Sequence, residues 1–123
     1  MRKEILAGLV LSLFCASSSV ASSPGGELLR QCKVAEKVIG NAGKYDNDYE
    51  LADGSLCLGY LLAVRDMLVQ RGDACVPDNV SVGQLLQLVI EYNKWHEKNP
   101  HTSRLGVSVI PMVLEYPCKE TKK

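Results

Sequence analysis

"SVGQLLQLVIEYNKW" (residues 81–95) places Leu85, Leu86, Val89 and Tyr92 three, four, seven and ten residues after Val82, the spacing of one helical face. Ser81 and Gln84 stand three apart just ahead of it, the spacing of a capping box in which each side chain accepts from the other's backbone N–H. The stretch predicts a helix running from Ser81 toward Trp95. Asn99-Pro100 prevents it from going further, because proline disfavours the α conformation in the residue before it.

The same reading extends outward from this helix. Upstream, "DACVPDNV" (73–80) is a loop, and before it Gly72 stops a predicted helix that Asp53 caps and that runs to about Arg71, with Leu58, Leu61, Leu62, Met67 and Leu68 as a wide apolar face. "KYDNDYELADG" (44–54) is polar and turn-rich. Ahead of it, Leu28, Cys32, Ala35, Ile39 and Ala42 predict a helix from about Glu27 to Ala42, stopped by Gly43. Downstream, "LGVSVIPMVLEY" (105–116) has the alternation and β-branching of a strand, and Pro111 would interrupt a strand or a helix alike. Three helices precede it and no partner strand is found, which favours a kinked fourth helix from about Thr102 to Tyr116. The expected fold class is all-α: a small four-helix domain, cross-linked by two disulfides.

The amino terminus reads as an export signal. Met1-Arg2-Lys3 precedes the apolar run "ILAGLVLSLF" and small residues through Ala21, so residues 1–21 are expected to be a signal peptide cleaved after Ala21, and residues 22–123 a single helical domain. The apolar run is too short to span a bilayer as a mature helix. Bulky Phe14 before Cys15 argues against a lipoprotein, and Cys15 leaves with the signal. Subtracting Arg2, Lys3 and Glu4 from fourteen basic and fourteen acidic residues leaves twelve and thirteen. So even a balance, with the charges interspersed, points away from nucleic acid and from an anionic membrane.

Cys32, Cys57, Cys75 and Cys118 then remain, an even number that reads as two disulfides in an exported domain. Cys57 and Cys75 flank a predicted helix of roughly five turns, about 25 Å at 1.5 Å per residue. A disulfide needs Cα atoms within about 7 Å, so a straight helix excludes that pair. Cys32 with Cys57 and Cys75 with Cys118 is the preferred pairing, since its second bridge ties the carboxyl terminus to the central loop. Cys32 with Cys75 and Cys57 with Cys118 stays open.

"NKWHEKNPHTS" (93–103) holds the chain's only tryptophan and both histidines and nearly spells H-E-x-x-H. The zinc motif needs two imidazoles four apart on one helical face, and His96 and His101 are five apart across a helix-ending Asn-Pro. No metal, cofactor or catalytic role is therefore expected, and there is neither a free cysteine nor a Gly-rich serine elbow to suggest an enzyme. A different use suits the stretch. Tyr92, Trp95 and His96 end the predicted helix and Glu97, Lys98 and His101 follow in its loop, a group that forms a protruding edge with aromatic anchors for a protein partner. The competing reading packs Tyr92 and Trp95 into the core or a dimer interface and leaves the histidines and Lys98 as solvated surface. The loop 44–53 is a second candidate contact surface.

"CLGYLLAVRDM" (57–67), "CVPDNVSVGQLLQLVIEYNKWHEKNPH" (75–101) and "YPC" (116–118) together resemble the periplasmic immunity proteins of type VI secretion amidase toxins, the Rap and Tai families. The resemblance lies in the Cys-x-Gly-Tyr helix start with Asp66 nine residues after the Cys, the Cys-x-Pro loop, Gln84 ahead of an aliphatic helix, and the aromatic-Pro-Cys end. It implies a helical, disulfide-bonded homodimer in the periplasm that binds a secreted peptidoglycan amidase and blocks its active-site cleft. Tyr60 and Asp66 would be structural. The rival reading is a periplasmic acid-stress chaperone, which would need fewer cross-links than two bridges supply.

Overall fold

The computed structural model describes residues 23–95 and 103–119, which form four helices: α1 (Pro24–Gly40), α2 (Asp48–Arg71), α3 (Val82–Trp95) and α4 (Arg104–Glu115). No strand occurs among the described residues, and "LGVSVIPMVLEY" is helical as expected. The expected signal peptide lies outside them.

Each helix starts where a side chain can satisfy its first N–H groups. Ser23 Oγ accepts from Gly26 N–H at 3.1 Å, with Pro24 at the first helical position where its missing donor costs nothing. In α3 the capping box forms as read, Gln84 N–H donating to Ser81 Oγ at 3.2 Å and Ser81 N–H to Gln84 Oε1 at 2.8 Å. Ser103 Oγ caps α4 through Gly106 N–H at 2.9 Å.

Two boundaries differ from the sequence reading. α2 is capped by Asn47, not by Asp53, because Asn47 Oδ1 accepts from Glu50 N–H at 3.0 Å while Glu50 accepts from Asp46 N–H at 3.0 Å, a cap six residues upstream. Asp53 is inside the helix and meets Arg30 of α1. α1 ends earlier than Ala42: Gly43 N–H donates to Val38 O at 2.9 Å and Ala42 N–H to Ile39 O at 3.3 Å, a Schellman closure. Its left-handed residue is Ala42, φ 56°, followed by Gly43, φ 79°. Ile39 and Ala42 consequently face solvent and Val38 takes the buried place.

The core is assembled from all four helices and the loop after α2. Leu28, Cys32 and Ala35 of α1 meet Cys57, Leu61, Val64 and Leu68 of α2, with Leu85, Leu86 and Val89 of α3, Val107 and Met112 of α4, and Ala74 and Val76. Leu58, Leu62 and Met67, expected on the core face of α2, are half-buried at its margins. The α1–α2 seam is close because small residues line it. A Cβ on Gly54 would sit 3.5 Å from Ala35 Cα, and one turn along the buried Cys32 and Cys57 are bridged with Cα atoms 5.1 Å apart. The second bridge, Cys75–Cys118, spans 43 residues of sequence. It is reinforced by Cys75 N–H donating to Tyr116 O at 2.8 Å. This is the preferred pairing, and the alternative is excluded.

Pro111 lies within α4 and has no N–H to offer Val107 O, its acceptor one turn back. Asn93 of α3 supplies the missing donor. Its Nδ2 donates to Val107 O at 3.0 Å and to Val89 O at 2.8 Å, and both the amide and the proline are buried. A proline that would otherwise leave an orphaned carbonyl in the interior thus becomes the docking point between α3 and α4.

Candidate functional site

The Asn93 link fixes the carboxyl end of α3, and with it the aromatic residues beside Asn93. At 100° per residue, Trp95 projects about 200° round the helix from Asn93. Asn93 points inward, and Trp95 is 81% exposed. Tyr92 is half-buried between them. The core alternative for Trp95 is thereby excluded within the protomer. A rigid indole held in water at a helix end presents large apolar area with a donor at its tip, the character of an interface anchor. His96, Glu97, Lys98 and His101 lie outside the described residues.

The second candidate surface is built differently. Tyr45 and Tyr49 are exposed, the latter at 84%, and of the acids around them Asp46, Glu50 and Asp53 are engaged. Lys37 Nζ donates to Asp46 at 2.8 Å and to Glu50 at 2.6 Å, and Arg30 bridges Asp53 at 2.7 Å and Glu27 at 2.6 Å. Hydrogen bonds from Lys37 and Arg30 hold the Glu50, Asp53 and Glu27 carboxyls below their ordinary values. These pairs zip the α1–α2 seam, but they set two cations against four carboxylates, so the loop keeps a net acidic character, to which exposed Asp48 adds. It follows the carboxyl end of α1. Trp95 stands instead two residues past Asn93, whose amide is bonded to Val107 near the start of α4.

Tyr60 packs against the core, consistent with a structural role. Asp66 does not reach into the fold: it is exposed and accepts from its neighbour Arg65, Nη2 at 2.8 Å. It edges a small polar cleft with Arg65, Gln70, Pro77 and Asp78. A shallower, apolar groove runs between the end of α2 and the start of α4, lined by Met67, Leu105, Gly106, Val109 and Ile110 with the Arg71–Asp73 pair at its rim. Among the described residues, no three His, Cys, Asp or Glu side chains are grouped to hold a metal ion, and no helix is long and apolar enough to cross a membrane. All four cysteines in the described region are bridged, so none offers a thiol.

The sequence reading missed Asn93, a buried polar residue on which the placement of Trp95 depends. Its signal was at a distance, in Pro111. A proline within a helix leaves the carbonyl four residues back in need of a donor, and a neighbouring helix must then provide one.

The comparisons with known proteins add one match. A family model described as Rap1a immunity proteins fits residues 24–118, from the first residue of α1 to the last bridged cysteine. No curated protein and no solved structure matches the chain.

Proposed function

We infer function from one premise: the chain belongs to the Rap1a immunity proteins, and the match takes in all four helices and both disulfides. An immunity protein acts by binding its cognate effector. We propose that this effector is a type VI secretion peptidoglycan amidase, and that the protein, exported to the periplasm with cleavage after Ala21, occupies the amidase cleft as a homodimer and protects the producing cell from its own toxin. The observation that carries this reading is the span of the family match. Three features support it: a leader with the pattern of a signal peptide, two bridges suited to an oxidising compartment, and an exposed Trp95 at the end of α3.

In this reading Tyr92, Trp95 and the residues after them, His96, Glu97, Lys98 and His101, contact the amidase. Titrating the oxidised mature protein into a peptidoglycan-digestion assay run by the amidase encoded beside it should abolish product release at a fixed stoichiometry. Trp95→Ala should weaken inhibition at least tenfold, the range of an interface anchor, and leave the melting temperature within a few degrees because the indole is outside the core. Absence of inhibition at any ratio would reject the amidase assignment. Protection of unrelated proteins from aggregation at acid pH, in the same preparation, would instead favour the chaperone. Unchanged inhibition by Trp95→Ala would remove the α3 end from the contact surface.

A further inference from the structure

The large apolar side chains left outside the core are concentrated on one helix. Of the nine that are exposed among the described residues, four, Tyr49, Leu51, Leu56 and Val69, belong to α2. The core face of α2 is Gly54, Cys57, Leu61, Val64 and Leu68. At 100° per residue the opposite face carries Ala52, Ser55, Gly59, Ala63 and Asp66, all exposed, flanked by Leu56 and Leu62. From Gly54 to Val64 there is no charged residue on any side of the helix, whereas the outward face of a surface helix is ordinarily polar. Gly59 lies at the centre. A Cβ there would meet nothing within 4 Å, so nothing inside the protomer calls for glycine at a mid-helix position that alanine would stabilise.

The sequence about Gly59 is also a palindrome in side-chain size. Ser55 and Leu56 stand four and three residues before it, Leu62 and Ala63 three and four after. We propose that the outer face of α2 packs antiparallel against the same face of a second copy, about a two-fold axis at Gly59. The proposal rests on the homodimer reading above and locates its interface. In this arrangement residues equidistant from Gly59 on opposite sides come level. Leu56 comes level with Leu62 of the other copy, but at 100° per residue the two stand on opposite flanks, so Leu56 lies over the small Ala63 one residue on, Leu62 lies over Ser55, and the two Gly59 residues meet where the backbones come closest. Leu51 enters between Leu62 and Val69 of the other copy. Farther out Gln70 comes level with Asp48, so its amide faces a carboxylate, and Asp66 comes level with Ala52, so no like charges oppose. Large residues thus meet small ones on a single self-complementary patch, as an isologous interface requires. A partner of unrelated sequence would gain nothing from the symmetry.

The pairing from Asp48 to Gln70 runs about 33 Å along the helix and covers on the order of 500 Å² per copy, below the roughly 800 Å² of a standard stable interface. The dimer should therefore dissociate on dilution. Sedimentation velocity on the oxidised mature protein, over a hundredfold range of concentration, reads this directly. The expected result is a monomer–dimer equilibrium whose dissociation constant rises at least a hundredfold with Ala63→Arg and with Gly59→Leu, both variants keeping the wild-type melting temperature at monomeric concentration within a few degrees. Gly59→Ala gives an arm that does not depend on tolerance of a bulky residue: it should raise the monomer's melting temperature and still weaken the dimer. Dimers unaffected by Gly59→Ala and Ala63→Arg would overturn the α2 surface and leave the homodimer reading standing. A wild-type monomer at every concentration would overturn both. The digestion assay is scored separately, so neither result is confused with loss of amidase binding.

Discussion

Asn93 and Pro111 should behave as a coupled pair. In Asn93→Leu the side chain keeps its approximate volume but no longer donates to Val107 O, which Pro111 cannot serve either. A buried carbonyl left without a donor costs about 1–3 kcal/mol. Val89 O is less affected, since it also lies one turn before the Asn93 N–H within α3. Taking about 2 kcal/mol and the 4–8 °C per kcal/mol typical of domains near this size, the melting temperature should fall by about 8–16 °C. Pro111→Ala restores an N–H opposite Val107 O, so in that background Asn93→Leu should cost no more than about 0.5 kcal/mol. The coupling energy of the cycle is then about 1.5 kcal/mol, well above the scatter expected of independent sites. Calorimetry on the four proteins with both disulfides intact measures it. Equal costs of Asn93→Leu in the two backgrounds would show that the amide contributes by packing alone, and the account of how α4 accommodates its proline would fail.

The α1–α2 seam gives a second test. Gly54→Ala places a methyl in ordinary contact with Ala35 and should be neutral or stabilising by up to about 1 kcal/mol, whereas Gly54→Leu must push the helices apart and should lower stability by more than about 2 kcal/mol, as thermal melts of both variants would show. The two bridges should differ under reductant. Cys75 is exposed while Cys32 and Cys57 are fully buried, so a thiol titration followed by alkylation and peptide mapping should label Cys75 and Cys118 first. Loss of the 43-residue loop in Cys75→Ser/Cys118→Ser should cost about 4 kcal/mol on the chain-entropy relation, and simultaneous labelling of all four cysteines would contradict the exposure argument. Acid should loosen the seam: carboxyls held below their ordinary values stabilise the fold above those values and lose that contribution as pH falls through the depressed ones. The melting temperature should be level from neutrality to about pH 5 and decline below about pH 4, less steeply at high salt, and a flat profile to about pH 2.5 would show that the Lys37 and Arg30 pairs contribute nothing.

What could be read along the chain was whatever its own near neighbours determine. The Ser81–Gln84 box and the apolar spacing behind it lie within one helix, so α3 and its cap were legible, and Gly72 marked the end of α2 for the same reason. Length made one part of the bridge pattern legible, because a straight helix cannot bring its own ends together and so excludes Cys57 with Cys75, while the choice between the two remaining pairings was settled by the packing of α1 on α2. The start of α2 was not. Asn47 and Asp53 both have the chemistry of a cap, and the first turn around Asp48 is held in helix by Lys37, nine and thirteen residues away from the carboxylates that it joins to α1. A polar segment that reads as a turn in isolation is thus helical because a lysine of another helix ties its carboxylates down.

The candidate site shows the same division more sharply. Helical spacing put Trp95 at the end of α3 but could not decide which way the last turn faces, since one residue's difference in where the helix docks would rotate the indole by about 100°. That choice is made by Asn93, a residue that local reasoning assigns to the surface because asparagine is seldom buried. The clue to its burial is 18 residues downstream. Pro111 creates an acceptor with no local donor, the interior does not tolerate one, and among the described residues Asn93 meets it. Read in that direction, a helix-breaking residue inside a helix is a statement about its neighbour. It requires a side-chain donor on the packed face of an adjoining element, and that donor, once placed, fixes the rotation of everything else on its own helix, including the aromatic residue it leaves facing water.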